Sequence, residues 1–157
     1  GYDGEDIGLI VVRCQIAYIL HEEGPALDIV DIRDPDAPVL LGQYLPEPPD
    51  GEGWGLAATN GTAWLGVGNE LRGIDVSDPA NPAFRSSIDL GGKVDQIEIR
   101  GDIAYVGCSA LGVVLVDISD PDSPAIADTI VTPGATGSVA VSGEYIFVPT
   151  FGDETHI

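Results

Sequence analysis

One proline corner occurs three times in this chain at nearly equal steps. Residues 26–38 read Ala-Leu-Asp-Ile-Val-Asp-Ile-Arg-Asp-Pro-Asp-Ala-Pro, residues 71–82 Leu-Arg-Gly-Ile-Asp-Val-Ser-Asp-Pro-Ala-Asn-Pro, and residues 113–124 Val-Val-Leu-Val-Asp-Ile-Ser-Asp-Pro-Asp-Ser-Pro. Each copy is an apolar, β-branched stretch of the kind that fits a pleated, buried strand, and each runs into Asp-Pro-x-x-Pro. The corner aspartates Asp34, Asp78 and Asp120 stand 44 and 42 residues apart. A period of that length belongs to repeat architectures, in which a unit covers its apolar faces only by stacking on its neighbours.

The corner has a local physical logic. Pro35, Pro79 and Pro121 fix φ near the value that the second position of a type I turn requires. The second prolines, Pro38, Pro82 and Pro124, lack an N–H and start the next strand where no ladder bond is made. Asp31, Asp75 and Asp117, three residues ahead of each corner aspartate, are expected to accept backbone N–H groups from the turn that follows. Calcium ligation is the alternative for these carboxylates. Each turn offers only two or three oxygens, so the backbone role is preferred.

A second stretch recurs upstream of the corners and places an aromatic at one fixed point per unit. Tyr18, Trp64, Tyr105 and Phe147 are spaced by 46, 41 and 42 residues, and core packing is expected of them rather than stacking on bases. Aligning the copies gives four short strands per unit, near 8–12, 15–20, 26–32 and 39–44 in the first. The second unit has them near 55–59, 62–67, 71–76 and 83–90, and the third near 94–99, 103–107, 112–118 and 125–132. Two more follow near 137–141 and 145–149. No stretch has a sustained helical period, and 21 Gly and 12 Pro suit many short strands with tight turns. The expected fold is all-β, a single domain over residues 1–157. It comprises about three and a half four-stranded antiparallel β-propeller blades, near 7–44, 55–90, 94–132 and an incomplete 137–157. Such an arc exposes apolar faces and strand edges at its ends. The expectation is therefore a piece of a larger propeller or a chain that completes a ring by association, a homodimer giving about seven to eight blades.

These motifs resemble the LVIVD repeat. The resemblance rests on Leu-Val-Asp-Ile-Ser-Asp-Pro-Asp-Ser-Pro at 115–124, Ile-Ala-Tyr-Val at 103–106 and Thr-Pro-Gly-x-x-Gly-Ser-Val-Ala-Val-Ser-Gly at 132–143, and it covers nearly the whole chain. The second unit departs from it at Arg72-Gly73 and lacks the Thr-Pro-Gly; the first has a longer connection to the next unit. The resemblance implies propeller blades in a secreted or cell-surface protein of bacteria or archaea. It carries no shared catalytic residues.

Charge excludes some partners. Twenty-six acidic residues against six basic ones give a net charge of −20, with Lys93 the sole lysine. Nucleic acid and anionic membranes are therefore not expected as partners, since binding phosphate needs Lys and Arg. The acids are spread along the chain, as on a solvated surface suited to high salt or to an extracellular setting. No apolar run reaches the length of a membrane span, no secretion signal is visible, and the chain opens without methionine, as a mature or excised piece would. Cys14 falls at a strand-to-strand turn and Cys108 after the next strand position of its own unit, so free thiols are expected rather than a disulfide.

The longest departure from the repeat is Leu-Pro-Glu-Pro-Pro-Asp-Gly-Glu-Gly-Trp at 45–54, between the first and second units. Glu47, Asp50 and Glu52 could hold a calcium ion there and Trp54 could stack on a sugar; a solvated, proline-stiffened loop is the plainer reading. No other cofactor is expected. His21-Glu22-Glu23-Gly24 is a weaker cluster, and the two histidines and two cysteines form no zinc spacing. No Gly-x-Ser-x-Gly or phosphate-cradling glycine loop occurs. With 26 acids, some carboxylate pair at glycosidase spacing is always available by chance. The expected function is a non-enzymatic binding or structural module presenting rim loops to a protein or glycan. The alternative is a secreted hydrolase, glycan-cleaving or metal-assisted, with its acids on the propeller face.

Overall fold

The apolar, β-branched stretches of the repeat pair with their sequence neighbours, and three sheets of the same kind result. In the computed structural model of the chain, residues 7–21, 26–46, 53–59, 61–109 and 111–151 are described. The first sheet is β1 (Ile7–Arg13), β2 (Ile16–His21), β3 (Leu27–Asp31) and β4 (Val39–Tyr44). The second is β5 (Gly53–Ala58), β6 (Thr62–Val67), β7 (Glu70–Asp75) and β8 (Ala83–Asp89), and the third β9 (Val94–Arg100), β10 (Ile103–Cys108), β11 (Gly112–Asp117) and β12 (Ala125–Ile130). Each is antiparallel, with its strands side by side in chain order. Among the described residues all regular structure is strand.

The fourth unit differs from the two strands expected near 137–141 and 145–149. It forms two short ladders: β14 (Ala140–Ser142) on β15 (Tyr145–Phe147), and β13 (Ala135–Thr136) on β16 (Thr150–Phe151). The ladder breaks between them around Pro149, which has no N–H to donate.

The sheets stack face to face as blades. Their first strands approach most closely, β1 against β5 and β5 against β9, while β4 and β12 on the far side of their sheets are largely exposed. Two apolar seams result. One joins blades one and two through Tyr18, Leu20, Leu27 and Ile29 on one side and Leu56, Ala58, Leu65 and Ile74 on the other. The other joins blades two and three through Trp64 and Leu71 against Ile97, Val106, Val114 and Val116. The recurring aromatic fills these seams in the first two blades, where Tyr18 and Trp64 are buried. Tyr105 is half-buried and Phe147 exposed. Core packing thus fails for Phe147, because its face of the last hairpin points away from blade three and no further described blade covers it.

Each outer strand carries a β-bulge at one place. Ile29 pairs with Gly42 and Val30 with Leu40; Gly73 pairs with Ser86 and Ile74 with Phe84; Leu115 pairs with Asp128 and Val116 with Ile126. The extra residues are Leu41, Arg85 and Ala127. A bulge turns its side chain out of the regular alternation, and that side chain is aliphatic in blades one and three but a guanidinium in blade two.

The turn between the first two strands of a blade needs a left-handed backbone. Gly61, Gly101 and Gly143 supply it in blades two to four, with φ of 83°, 58° and 59°. Blade one has Cys14 and Gln15 there, at φ 48° and 67°, a conformation that costs a residue with a side chain about 1–3 kcal/mol. Importing the second blade's Asn-Gly as Cys14→Asn with Gln15→Gly is expected to stabilise the protein by about 1–2 kcal/mol, read as a higher urea midpoint at unchanged slope. A Cβ on Gly42 would lie 2.3 Å from the Pro79 carbonyl oxygen in blade two. Gly42→Ala is expected to lower the same midpoint, by about 1–3 kcal/mol of stability.

Candidate functional site

The proline corners and the first turns of the blades come out on one rim. Backbone bonds tie them together: Ile32 N–H donates to Gln15 O at 2.9 Å, Val76 N–H to Gly61 O at 3.0 Å, and Ile118 N–H to Asp102 O at 2.8 Å. Within each corner two carboxylates are occupied by backbone. Asp31, Asp75 and Asp117 each accept the N–H two residues on, from Arg33, Ser77 and Ser119, at 2.9 Å. Asp34, Asp78 and Asp120 likewise accept from Asp36, Ala80 and Asp122 at 3.1 Å. Their carbonyls close the type I turns with Ala37, Asn81 and Ser123, which is the geometry that Pro35, Pro79 and Pro121 favour. The corner acids thus hold the backbone of their own turns.

The same corners lock each blade to the one before. The corner of blade two lies over Gly42 of β4. At the corresponding place between blades two and three, Ser86 Oγ donates to Pro121 O at 2.7 Å and Arg85 Nε to Asp122 Oδ1 at 2.7 Å.

Beside this second lock lies the site that the sequence reading missed. A cleft of about 440 Å³ opens on the rim between blades two and three, lined by Thr59, Thr62 and Arg85 on one side and Asp102, Ile118 and Ser119 on the other. Between blades one and two the residues at the register of Thr62 and Arg85 are Ile16 and Leu41, which pack against the seam. Arg85 is the bulge residue of β8, three-quarters buried, and its Nη1 donates to Thr62 Oγ1 at 2.9 Å. The hydrogen bond to Asp122, with Asp75 and Asp120 nearby, pushes its pKa up and keeps it charged. A guanidinium has five N–H groups, and the bonds to Asp122 and Thr62 use two of them. The signal was present in the sequence as two polar residues at positions where the first unit is apolar, but finding it required the bulge register.

On the opposite rim, Trp54 at the start of β5 is half-buried, with Lys93 Nζ 4.3 Å from its ring centroid. Glu47, Asp50 and Glu52 lie outside the described residues, as do Glu22, Glu23 and Gly24. His21 turns its Nε2 to Asp28 Oδ2 at 3.1 Å, and Gln43 Nε2 donates to Asp28 Oδ1 at 2.7 Å. Burial pushes the Asp28 carboxyl up, against the pull of Gln43. Cys14 and Cys108 are both free thiols; Cys108 ends β10 in the core, where burial, helped by the Asp95 carboxylate, pushes its pKa up to about 12. Ser109 Oγ donates to Asp95. Among the described residues no group of three His, Cys, Asp or Glu side chains is gathered as a metal would need.

The sequence profile of the LVIVD repeat matches residues 15–45, 50–89, 91–132 and 133–154. The chain belongs to the LVIVD-repeat family. The last three LVIVD matches each take in one blade from its first strand, and the first begins at the turn before β2. No curated protein matches the chain.

The LVIVD corners predict an acid response. The Asp31 carboxyl is held below its ordinary value of 3.8 by Arg33, that of Asp75 by the Ser77 hydroxyl and N–H, and that of Asp117 chiefly by the Ser119 N–H. A depressed folded pKa gives stability that is full above the unfolded value and lost as the pH falls through the folded one. Asp28, with its raised pKa, works in the opposite sense, and protonation also relieves the repulsion of a −20 chain. The comparison that isolates the corners is wild type against Asp31→Asn/Asp75→Asn/Asp117→Asn. The wild type is expected to melt higher at neutral pH, and the difference to close below about pH 3.8 in a thermal-melt series.

Proposed function

We propose that this LVIVD propeller is a non-enzymatic binding module of a secreted or cell-surface protein, and that it takes a neutral saccharide on the corner rim. The observation that carries the reading is the cleft between blades two and three, opened where Thr62 and Arg85 replace an apolar pair. Its lining of hydroxyls, one carboxylate and one guanidinium suits a ligand dense in groups that both donate and accept hydrogen bonds. Asp75, Asp120 and Asp122 around Arg85 weigh against an anionic ligand. The cleft lining holds one carboxylate, Asp102, which favours holding a glycan over cleaving one, since cleavage uses a pair of carboxyl groups flanking the bond. An extracellular setting follows the resemblance of the repeats and agrees with a strongly acidic surface.

The test is a glycan array with isothermal titration of any glycan retained, on wild type and on Thr62→Ile/Arg85→Leu. That double variant copies the filled seam between blades one and two and gives up the Arg85–Asp122 bond for apolar packing, so it is expected to keep the wild-type circular dichroism while affinity falls at least about tenfold. Neutral glycans are expected to bind without release of reducing ends. Binding that survives the double variant would move the site elsewhere, toward the 45–54 loop. Turnover of the glycan would replace the binding reading with the hydrolase one.

A further inference from the structure

The first strands of the three blades converge at the hub of the stack, β1 on β5 and β5 on β9. A second pocket, of about 160 Å³, opens there toward the corner rim, where these strands end. Its lining includes Arg13 of β1, Leu56 and Ala58 of β5, and Ile97, Glu98 and Arg100 of β9. In a closed propeller this place borders the central channel. Every lining residue belongs to blades one to three, so the pocket does not depend on what adjoins them.

Two of the six basic side chains of this −20 chain border the pocket, and they hold the same place in their blades. Arg13 pairs with Ile16 as Arg100 pairs with Ile103, each at the last residue of its first strand. Blade two has the shorter Thr59 at that register, and it lines the neighbouring cleft instead. Arg33, Arg72, Arg85 and Arg100 each have a carboxylate at ion-pair distance, whereas Arg13 has none among the described residues. Arg100 Nη2 donates both to Glu98 Oε1 at 2.8 Å and to the Val141 carbonyl at 3.1 Å. Its Nε and Nη1 carry three further N–H groups.

We infer that the hub pocket holds a carboxylate monoanion between the guanidinium groups of Arg13 and Arg100. A guanidinium fork matches a carboxylate through two parallel N–H···O bonds. Arg13 and Arg100 against Glu98 leave one net positive charge, which suits a monoanion better than a phosphate dianion. Leu56, Ala58 and Ile97 in the wall are buried and exclude water from that side, which strengthens the pairing. The volume is well below the roughly 300–1,000 Å³ of a drug-sized pocket. The ligand is therefore a short acid, or the acid group of a larger molecule that extends out of the hub. A route outward exists, since Ala58 and Arg100 run directly into Thr59 and Gly101, which line the cleft between blades two and three. The carboxylate thus has two sources, a free short acid or a sugar acid whose ring reaches toward the cleft. The inference does not rest on the saccharide reading, because the hub is lined by its own arginines.

The test is an NMR titration of the isotope-labelled whole chain at constant ionic strength, following backbone amides and arginine Nε–H groups. The probes are acetate, glucuronate, glucose and inorganic phosphate. Acetate and glucuronate are expected to shift the Arg13 and Arg100 signals and to saturate in the millimolar range, within reach of a ligand of so few atoms. Glucose is expected to leave those signals in place. Arg13→Gln, at an exposed position, is expected to keep the wild-type circular dichroism and to weaken acetate at least about tenfold. Glu98→Gln removes the opposing charge and is expected to tighten acetate about fivefold and to admit phosphate. Glucuronate no tighter than acetate assigns the hub to free short acids. Tighter glucuronate, with shifts spreading to Thr62 and Ser119, assigns it to sugar acids. Acetate reads the hub alone, so hub and cleft can fail separately. The inference is overturned if no carboxylate gives a saturable shift at Arg13 and Arg100, or if Arg13→Gln binds acetate as wild type does. Phosphate displacing acetate from the wild type would overturn it as well.

Discussion

A four-stranded sheet with apolar side chains on both faces can be covered only by something equally flat and greasy on each side. Everything else in this protein follows from meeting that demand with more sheets of the same kind. Each seam buries about a dozen residues, and a large apolar side chain contributes roughly 1.5–3 kcal/mol when fully buried. A lock bond such as Ser86 to Pro121 contributes roughly 0.5–1.5 kcal/mol. The seams therefore carry the stacking energy. The locks and corners fix how far each blade slides and tilts on the next.

The acidity of the chain and its architecture are linked at the corners. A carboxylate that accepts a backbone N–H holds a turn without needing a long side chain. The repeat uses two such groups per corner, one at the strand end and one at the turn itself. Part of the negative charge is thus structural, brought in with each copy of the unit. Arg85 is the exception that joins structure to a site, since the same guanidinium closes a lock, anchors Thr62 and faces the cleft.

Strands and blades were readable from the chain because their causes are local. Alternating β-branched residues, the Asp-Pro corner and a fixed aromatic each act within a few residues, and repetition multiplies a weak signal. What depended on distant partners was not readable. Phe147 matches Trp64 in the alignment, yet their burial is opposite because burial is set by the next blade. Arg85 and Thr62 became a pair only once the bulge brought the outer strand into register with the second strand of its own blade. The strain at Cys14 and Gln15 was hidden for a related reason: the turn type is dictated by the twist of the strands on either side, and the residues there give no sign of it.

The lock between blades has a direction, since a corner always grips the outer strand of the blade before it. Blade two is held on both sides, gripping β4 with its own corner while β8 is gripped by the corner of blade three. Cooperativity in such a stack is nearest-neighbour, so opening starts where a grip is missing and moves inward. Amide protons in β6 and β7 should thus outlast those in the hairpin of β14 and β15 when the protein is placed in heavy water, and a protease should trim the stack from its margins before it can cut the middle.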